Sequence, residues 1–287
     1  MPLVARMTIA GVGLIGGSLG SAVRRAGLAG EVRGFGRTVA NLELAHARGL
    51  IDRIVTDAAE AADVDLIVLA APVRSCAALA TRFRTHARPT TVLTDVASVK
   101  ASLLADLDSA WGASRVVGAH PIAGSEASGA GAAHEDLFRG RLCILTPGPH
   151  TDPAALDLVR TVWEGVGAVV EEMPAATHDG ILARVSHLPH VVAYALVRAL
   201  ATRTVDGRQV LDYAGTGLLD ATRIAASPAE IWRDIALTNR PALVDALREF
   251  GTALADLVLL IERGDDVGLE VALEHAASSR RRLASRA

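Results

Sequence analysis

Lysine is almost absent from this sequence. Lys100 is the single lysine among 29 lysine and arginine residues, so any chemistry that needs a side-chain amine must use it. Cysteine is scarce as well: Cys76 and Cys143 sit in apolar contexts, without paired or metal-ligand spacing. That excludes a disulfide framework and suits a reducing, cytoplasmic setting with both thiols in the core. Aromatic residues are 3% of the chain, which leaves aliphatic side chains to fill the interior. No strong excess of one charge exists: the net charge is −3, and the one basic cluster, residues 280–282, reads as a solvated helix end. Nothing therefore points to a nucleic-acid or membrane surface. No uninterrupted apolar run approaches the ~18 residues of a membrane span. Residues 2–6 lead straight into a strand pattern, so no signal peptide is expected. What is present is 287 residues, 51% hydrophobic, enough for one large or two ordinary domains.

The first motif is glycine-rich. An apolar run at residues 7–10 feeds G-V-G-L-I-G at 11–16, and a helical pattern with small residues on one side follows. Strand, G-x-G-x-x-G and helix in this order form a dinucleotide fingerprint. Glycines at Gly11, Gly13 and Gly16 allow a tight turn, close approach of a pyrophosphate and close helix–strand packing. Leu14 and Ile15 then open the helix whose N-terminus faces the phosphates. A second strand is predicted over residues 31–36. An NAD site usually places Asp or Glu at its end, but here the chain reads Gly36-Arg37-Thr38. No carboxylate is there to repel a 2′-phosphate, and Arg37 could pair with one, so NADP is favoured over NAD. A solvent-facing loop arginine is the plainer alternative.

Helical and apolar segments then alternate. Helices are predicted over 41–50, 74–86, 96–107 and 153–164, and strands over 65–71, 91–95, 115–119, 142–146 and 168–171. The strand at 65–71 ends at Ala71-Pro72, the edge where a cofactor would cross. This pattern predicts an α/β fold with a Rossmann-type, doubly wound, mostly parallel sheet. Past residue 173 strand patterns stop, and helices are expected over 176–203 (interrupted at Pro189), 219–226, 228–239, 241–263 and 265–285. The expected division is a dinucleotide-binding domain at 1–174 and a helical substrate and dimerisation domain at 175–287.

Chemistry-bearing residues fall at the edges of these segments. In V-G-A-H-P-I-A-G-S-E at 117–126, Pro121 biases His120 to an extended backbone, so the strand should stop there. The imidazole would then stand at a strand's carboxyl end, where open α/β sheets bind ligands. A histidine capping a loop would look the same. In S-H-L-P-H at 186–190, His187 and His190 are three apart, but no third ligand completes a metal set, and none is expected. Asp220 and Arg223 could pair on one helical face. Trp232, in E-I-W-R-D, could be only an aromatic anchor between helices.

Taken together, G-x-G-L-I-G-G-S at 11–18, D-x-x-S-x-K at 95–100, G-A-H-P-I-A-G-S-E at 118–126, S-H-L-P-H at 186–190, D-x-T-R at 220–223 and I-W-R-D at 231–234 resemble the prephenate/arogenate dehydrogenase family of tyrosine biosynthesis. The resemblance spans nearly the whole chain. It implies NAD(P)-dependent oxidative decarboxylation of a cyclohexadienol, prephenate first, with arogenate or an amino-substituted ring as alternatives. It implies that His120 accepts the hydroxyl proton, a role suited to a neutral imidazole near pH 7. By the same likeness Ser98, at the start of the helix after the neighbouring strand, orients that imidazole and touches the nicotinamide. Arg223 and His190 would hold the substrate carboxylates, Ser125 and Glu126 would line the cleft, and Trp232 would cover its apolar side. Asp220 would hold Arg223 or gate access. Family members pair through the helical domain, so a homodimer is expected. Two other readings compete. A β-hydroxyacid dehydrogenase would want a lysine in its helical domain, and none follows Lys100. A dinucleotide-sensing regulatory protein would bind cofactor without turnover.

Overall fold

The computed structural model describes residues 1–124 and 127–284. Its centre is an eight-stranded sheet made of β1 (Val4–Ala10), β2 (Ala29–Phe35), β3 (Arg53–Val55), β4 (Leu66–Leu69), β5 (Val92–Asp95), β6 (Val116–Pro121), β7 (Leu142–Pro147) and β8 (Val169–Glu172). Their spatial order is β3-β2-β1-β4-β5-β6-β7-β8, with every pair parallel except β6 and β7. Helices α1 (Leu14–Arg25), α2 (Val39–Ala47), α3 (Ala58–Ala62), α4 (Val73–Arg84), α5 (Ala101–Trp111) and α6 (Pro153–Gly165) connect the strands. The Rossmann-type, mostly parallel fold expected from the sequence is what forms.

Side-chain alternation along the strands explains the two covered faces. Ile9, Leu66 and Val68 pack with Leu19 of α1 and Val162 and Trp163 of α6. Ala10, Ile67 and Leu69 point the other way, onto Phe83 of α4 and Leu103 and Leu107 of α5. Cys76 and Cys143 are both buried in these layers, and burial pushes the Cys76 thiol up to about 12.

The structure departs from the sequence expectation in several places. β3 and α3 went unpredicted: three and five residues are too few to show a period, although Asp57 caps α3 through the N–H groups of Ala59 and Glu60. The helix expected from residue 96 begins at Ala101. Asp95 accepts the Ala97 N–H at 2.9 Å and holds residues 96–100 as a loop, so Ser98 precedes the helix. β6 runs on through Pro121 rather than stopping at the histidine. Ile122 N–H bonds Leu142 O on the β7 side, so the Pro121 nitrogen faces the other side, beyond the last β5–β6 pair.

After β8 the chain becomes helical: α7 (Ala175–Leu182), a π-helical segment (Ala183–His187), α8 (Leu188–Ala201), a small hairpin of β9 (Thr204–Val205) and β10 (Arg208–Gln209), α9 (Thr216–Thr222), a 3₁₀ turn (Arg223–Ala226) and α10 (Ala229–Thr238). The break near Pro189 is thus a π segment, not a gap. Proline has no N–H for the bond four residues back, and the widened turn absorbs the mismatch. The whole run Ala175–Ala201 is long and apolar enough, by length and composition, to cross a membrane, which the search for uninterrupted apolar stretches missed. Here it is tied to the sheet. Its Asp179 carboxylate accepts the Lys100 and Ala101 N–H groups, both at 2.8 Å, at the start of α5.

The chain forms two compact units, Met1–Arg240 and Pro241–Ala287. The second holds almost all of α11 (Arg240–Arg263) and α12 (Asp266–Ala284). Between these helices Gly264 adopts φ +62°, and Asp265 accepts the Gly268 N–H at 2.9 Å to start α12.

Candidate active site

The glycine loop between β1 and α1 builds a cradle. Gly11 has φ +104°, and a Cβ there would lie 2.4 Å from Ala70 O, so only glycine passes. A Cβ at Gly16 would lie 2.1 Å from Gly11 O, which lets α1 press on β1. Gly13, the N-cap of α1, faces open space with no side chain capping the helix. The first-turn N–H groups are therefore available to an anion. A cleft of about 310 Å³ runs from Gly11 and Gly13 past Gly36, Arg37 and Thr38, beside Ala71 and Pro72. A second cleft, about 340 Å³, continues past Leu14, Ile15, Ala71 and Pro72 to Ser98 and to Ile231 and Ile235 of α10. Gly13, Ala71, Pro72 and Gly129 line both, so the trough is continuous and suits a long dinucleotide. Gly16 lies in the packing beneath rather than on the cleft wall. Arg37 is exposed at one end, and among the described residues no carboxylate lines that end.

His120 stands near the carboxyl end of β6 and is almost wholly buried. Its Nδ1 lies 2.8 Å from His178 Nε2, and His178 Nδ1 lies 2.8 Å from Asp179 Oδ1. Beneath it the D-x-x-S-x-K motif resolves into a structural pair. Lys100 Nζ bonds the Asp95 carboxylate and donates to Ala119 O at 2.9 Å, all fully buried. The lone lysine amine is therefore a strut that ties β5 to β6. Burial first, then the positive Lys100, hold the His120 imidazole well below the usual histidine range. It is neutral at pH 7.

Ser98, in the loop before α5, lines the second cleft and makes no hydrogen bond to His120; the side chain hydrogen-bonded to the imidazole is His178. His187, in the π segment, is fully buried. Asn239 donates to its Nδ1 at 3.1 Å and to Asp179 O at 2.9 Å. Burial first, offset in part by the Asp179 charge and the Ser98 backbone, pushes His187 down to about 4. His190 stacks on Trp232 with ring centroids 3.4 Å apart, and its Nδ1 donates to Ser186 O at 2.9 Å. That leaves Nε2 of a neutral His190 as an acceptor; gripping a carboxylate requires its protonated form, which burial disfavours.

Arg223 and Asp220 are exposed, on the 3₁₀ turn and α9, and neither lines the dinucleotide trough. Tyr194 of α8 donates to Ser227 O at 2.7 Å and fixes that turn against the helix carrying His190. Ser125 and Glu126 lie outside the described residues. Among the described residues no three His, Cys, Asp or Glu side chains converge as a metal site. Sequence reasoning missed His178, Asp179 and Asn239. The one available signal was an ionisable His-Asp pair inside an apolar helical run, nine residues before His187.

Residues 19–172 match the family description "Prephenate dehydrogenase, nucleotide-binding domain", and residues 174–275 match "Prephenate dehydrogenase, dimerization domain". The cyclohexadienyl dehydrogenase of Zymomonas mobilis is 33% identical over 283 residues, covering 98% of this chain and 96% of that protein. Prephenate dehydrogenase from Aquifex aeolicus, solved with hydroxyphenyl propionate and NAD+, superposes with a TM-score of 0.93 at 36% identity, over 97% of this chain and 98% of that one. Synechocystis arogenate dehydrogenase gives a TM-score of 0.84 at 30% identity, over 97% and 99% of the two chains. With both halves matched in order and likeness extending almost end to end, this chain belongs to the prephenate dehydrogenase family.

Proposed function

We propose that the chain converts prephenate to 4-hydroxyphenylpyruvate by oxidative decarboxylation with a nicotinamide dinucleotide. One observation carries the chemistry: a buried, neutral His120 whose Nδ1 is already engaged, leaving Nε2 as a proton acceptor on β6, the strand next to β5, whose following loop lines the trough at Ser98. Gly11, Gly13, Leu14 and Ile15 would hold the pyrophosphate side, with Ala71, Pro72 and Ser98 along the nicotinamide side. The bound cofactor supplies the hydride acceptor. His120 Nε2 takes the proton of the ring hydroxyl as the carbonyl forms, which is typically worth ~10²–10⁴ in rate. The ring carboxylate leaves as carbon dioxide, and the ring becomes aromatic. Arg223 and His190 anchor carboxylates, Ser125 and Glu126 border the substrate, Asp220 governs Arg223, and Trp232 supports His190 through their stacked rings. Substrate binding to a protonated His190 raises its affinity for that proton, since a carboxylate stands opposite.

The Arg37-Thr38 end of the trough favours NADP. Thr38 is the N-cap of α2 and makes no side-chain cap bond, so its hydroxyl and the Val39 and Ala40 N–H groups are available beside Arg37 for a 2′-phosphate. Arogenate is the runner-up substrate, given the Synechocystis relative. The setting is cytoplasmic and the assembly a homodimer through the helical domain. The test is to mix purified protein with prephenate or arogenate and NAD+ or NADP+ and follow the absorbance of reduced cofactor. His120→Asn keeps size and one hydrogen bond but accepts no proton near pH 7. Its turnover should fall ~10²-fold or more with the Michaelis constant little changed. Tight dinucleotide binding with no turnover on either substrate would instead favour a sensing protein.

A further inference from the structure

We propose that His178 and Asp179 are positioning residues that fix the tautomer of His120 and stabilise the charge it acquires, through the chain Asp179–His178–His120. The proposal rests on His120 being the base. Its starting point is Asp179. Oδ1 accepts the Lys100 N–H and Oδ2 the Ala101 N–H, each at 2.8 Å, at the N-terminus of α5. Both oxygens thus accept backbone N–H donors, as a carboxylate does. An ionised carboxylate only accepts, so the 2.8 Å contact from Oδ1 to His178 Nδ1 puts a proton on that nitrogen. In a neutral His178, Nε2 is then a lone pair. The 2.8 Å contact to His120 Nδ1 must be donated by His120. That leaves His120 Nε2 bare. One carboxylate thus decides the proton positions on two imidazoles in series, and the far nitrogen is the one that must be unprotonated to accept.

Without this chain the wrong tautomer, protonated on Nε2, is open to His120, and an imidazole held in the wrong tautomer can lose ~10⁴ in turnover. The chain also acts after the proton moves. The substrate proton arrives on Nε2 while the Nδ1 proton stays on His120 and donates to His178. The new imidazolium therefore forms against an acceptor backed by a carboxylate. The other charged or titratable groups around it do not help. Lys100, in the loop before α5, is positive. Asp95, at the end of β5, is bound to Lys100. His187, in the π segment, is held neutral, and Cys143, on β7, is kept protonated by burial.

Two measurements on the full-length protein test this. In histidine-labelled wild type without ligands, ¹⁵N chemical shifts should report a protonated Nδ1 and an unprotonated Nε2 on His120 at pH 7. A proton on Nε2 overturns the proposal whatever the enzyme's substrate is. Kinetics with prephenate then compare His178→Leu, which offers no acceptor, with His178→Gln, whose carbonyl oxygen can still accept from Nδ1. The Leu variant should lose ~10²-fold or more in turnover with the Michaelis constant nearly unchanged. Its acid limb in the kcat/KM profile should move to lower pH, because the His120 cation has lost its acceptor. The Gln variant should recover at least ~10-fold of the loss. Wild-type turnover and an unmoved pH profile in His178→Leu would also overturn it. If His120→Asn keeps full turnover, the base assignment fails instead, and the tautomer measurement still stands alone.

Discussion

At the scale of single residues, burial decides which groups titrate. His187 is fully enclosed and pushed down to about 4, chiefly by desolvation, while the unfolded chain keeps an ordinary histidine near 6.5. His120 is lowered for the same first cause. The unfolded chain therefore binds protons that the folded chain refuses. Stability should be complete above about pH 6.5 and decline as the pH falls toward 4, by roughly 3 kcal/mol from His187 alone. Urea denaturation between pH 7 and pH 4.5 measures this, and His187→Asn should flatten the slope. A slope unaffected by that substitution would place the acid sensitivity elsewhere. At the other end of the trough, Arg37 is exposed beside a helix N-terminus, with no carboxylate lining that end among the described residues. Arg37→Ala should raise the Michaelis constant for NADP+ about 10-fold or more, as expected for ~1.5–3 kcal/mol from a charged hydrogen bond, and leave NAD+ nearly alone. Equal kinetics with the two cofactors in the unaltered protein would remove NADP preference.

At the scale of elements, close contacts between backbones position the site. The α1–β1 contact leaves no room at Gly16, since the added Cβ meets the backbone oxygen of Gly11 rather than a flexible side chain. Gly16→Ala should therefore lift α1 or shift the Gly11 loop. A cost of about 1–3 kcal/mol is expected for such overpacking, with weaker dinucleotide binding because the same loop frames the cradle. Thermal melts and cofactor titration read the two effects. An unchanged melting temperature would mean that the helix moves freely. The π segment works in a similar way. It joins α7, which carries His178 and Asp179, to α8, which carries His190, and it places His187 between them.

At the scale of the whole molecule, the unit Pro241–Ala287 leaves much apolar surface uncovered. Leu254, Val258, Ile261, Val267 and Val271 are 44–67% exposed. Surface of this kind on long helices marks an interface with another chain. Light scattering at micromolar concentration should give about twice the 29.8 kDa of one chain. A mass of one chain would leave those side chains without a partner and contradict the dimer.

The sequence by itself determined the sheet, the glycine cradle and the position of His120. These rest on local signals: apolar runs of strand length and turns only glycine permits; the proline after His120 did not end the strand. It also supplied the six motifs that resembled the family. The short elements β3 and α3 escaped because so few residues show no period, and the start of α5 escaped because Asp179, distant in the chain, bonds its first N–H groups while Asp95 bonds Ala97 N–H in the loop before it. Only the tertiary structure decided what holds His120. His178 is 58 residues away in the chain, and no spacing rule joins a helix after the last strand to the end of β6. It likewise turned Lys100 from a candidate reactive amine into a buried partner of Asp95, and joined His120 to His178 by a hydrogen bond. Burial and hydrogen-bond partnership depend on which surfaces meet, and those surfaces are brought together by packing between elements far apart in sequence.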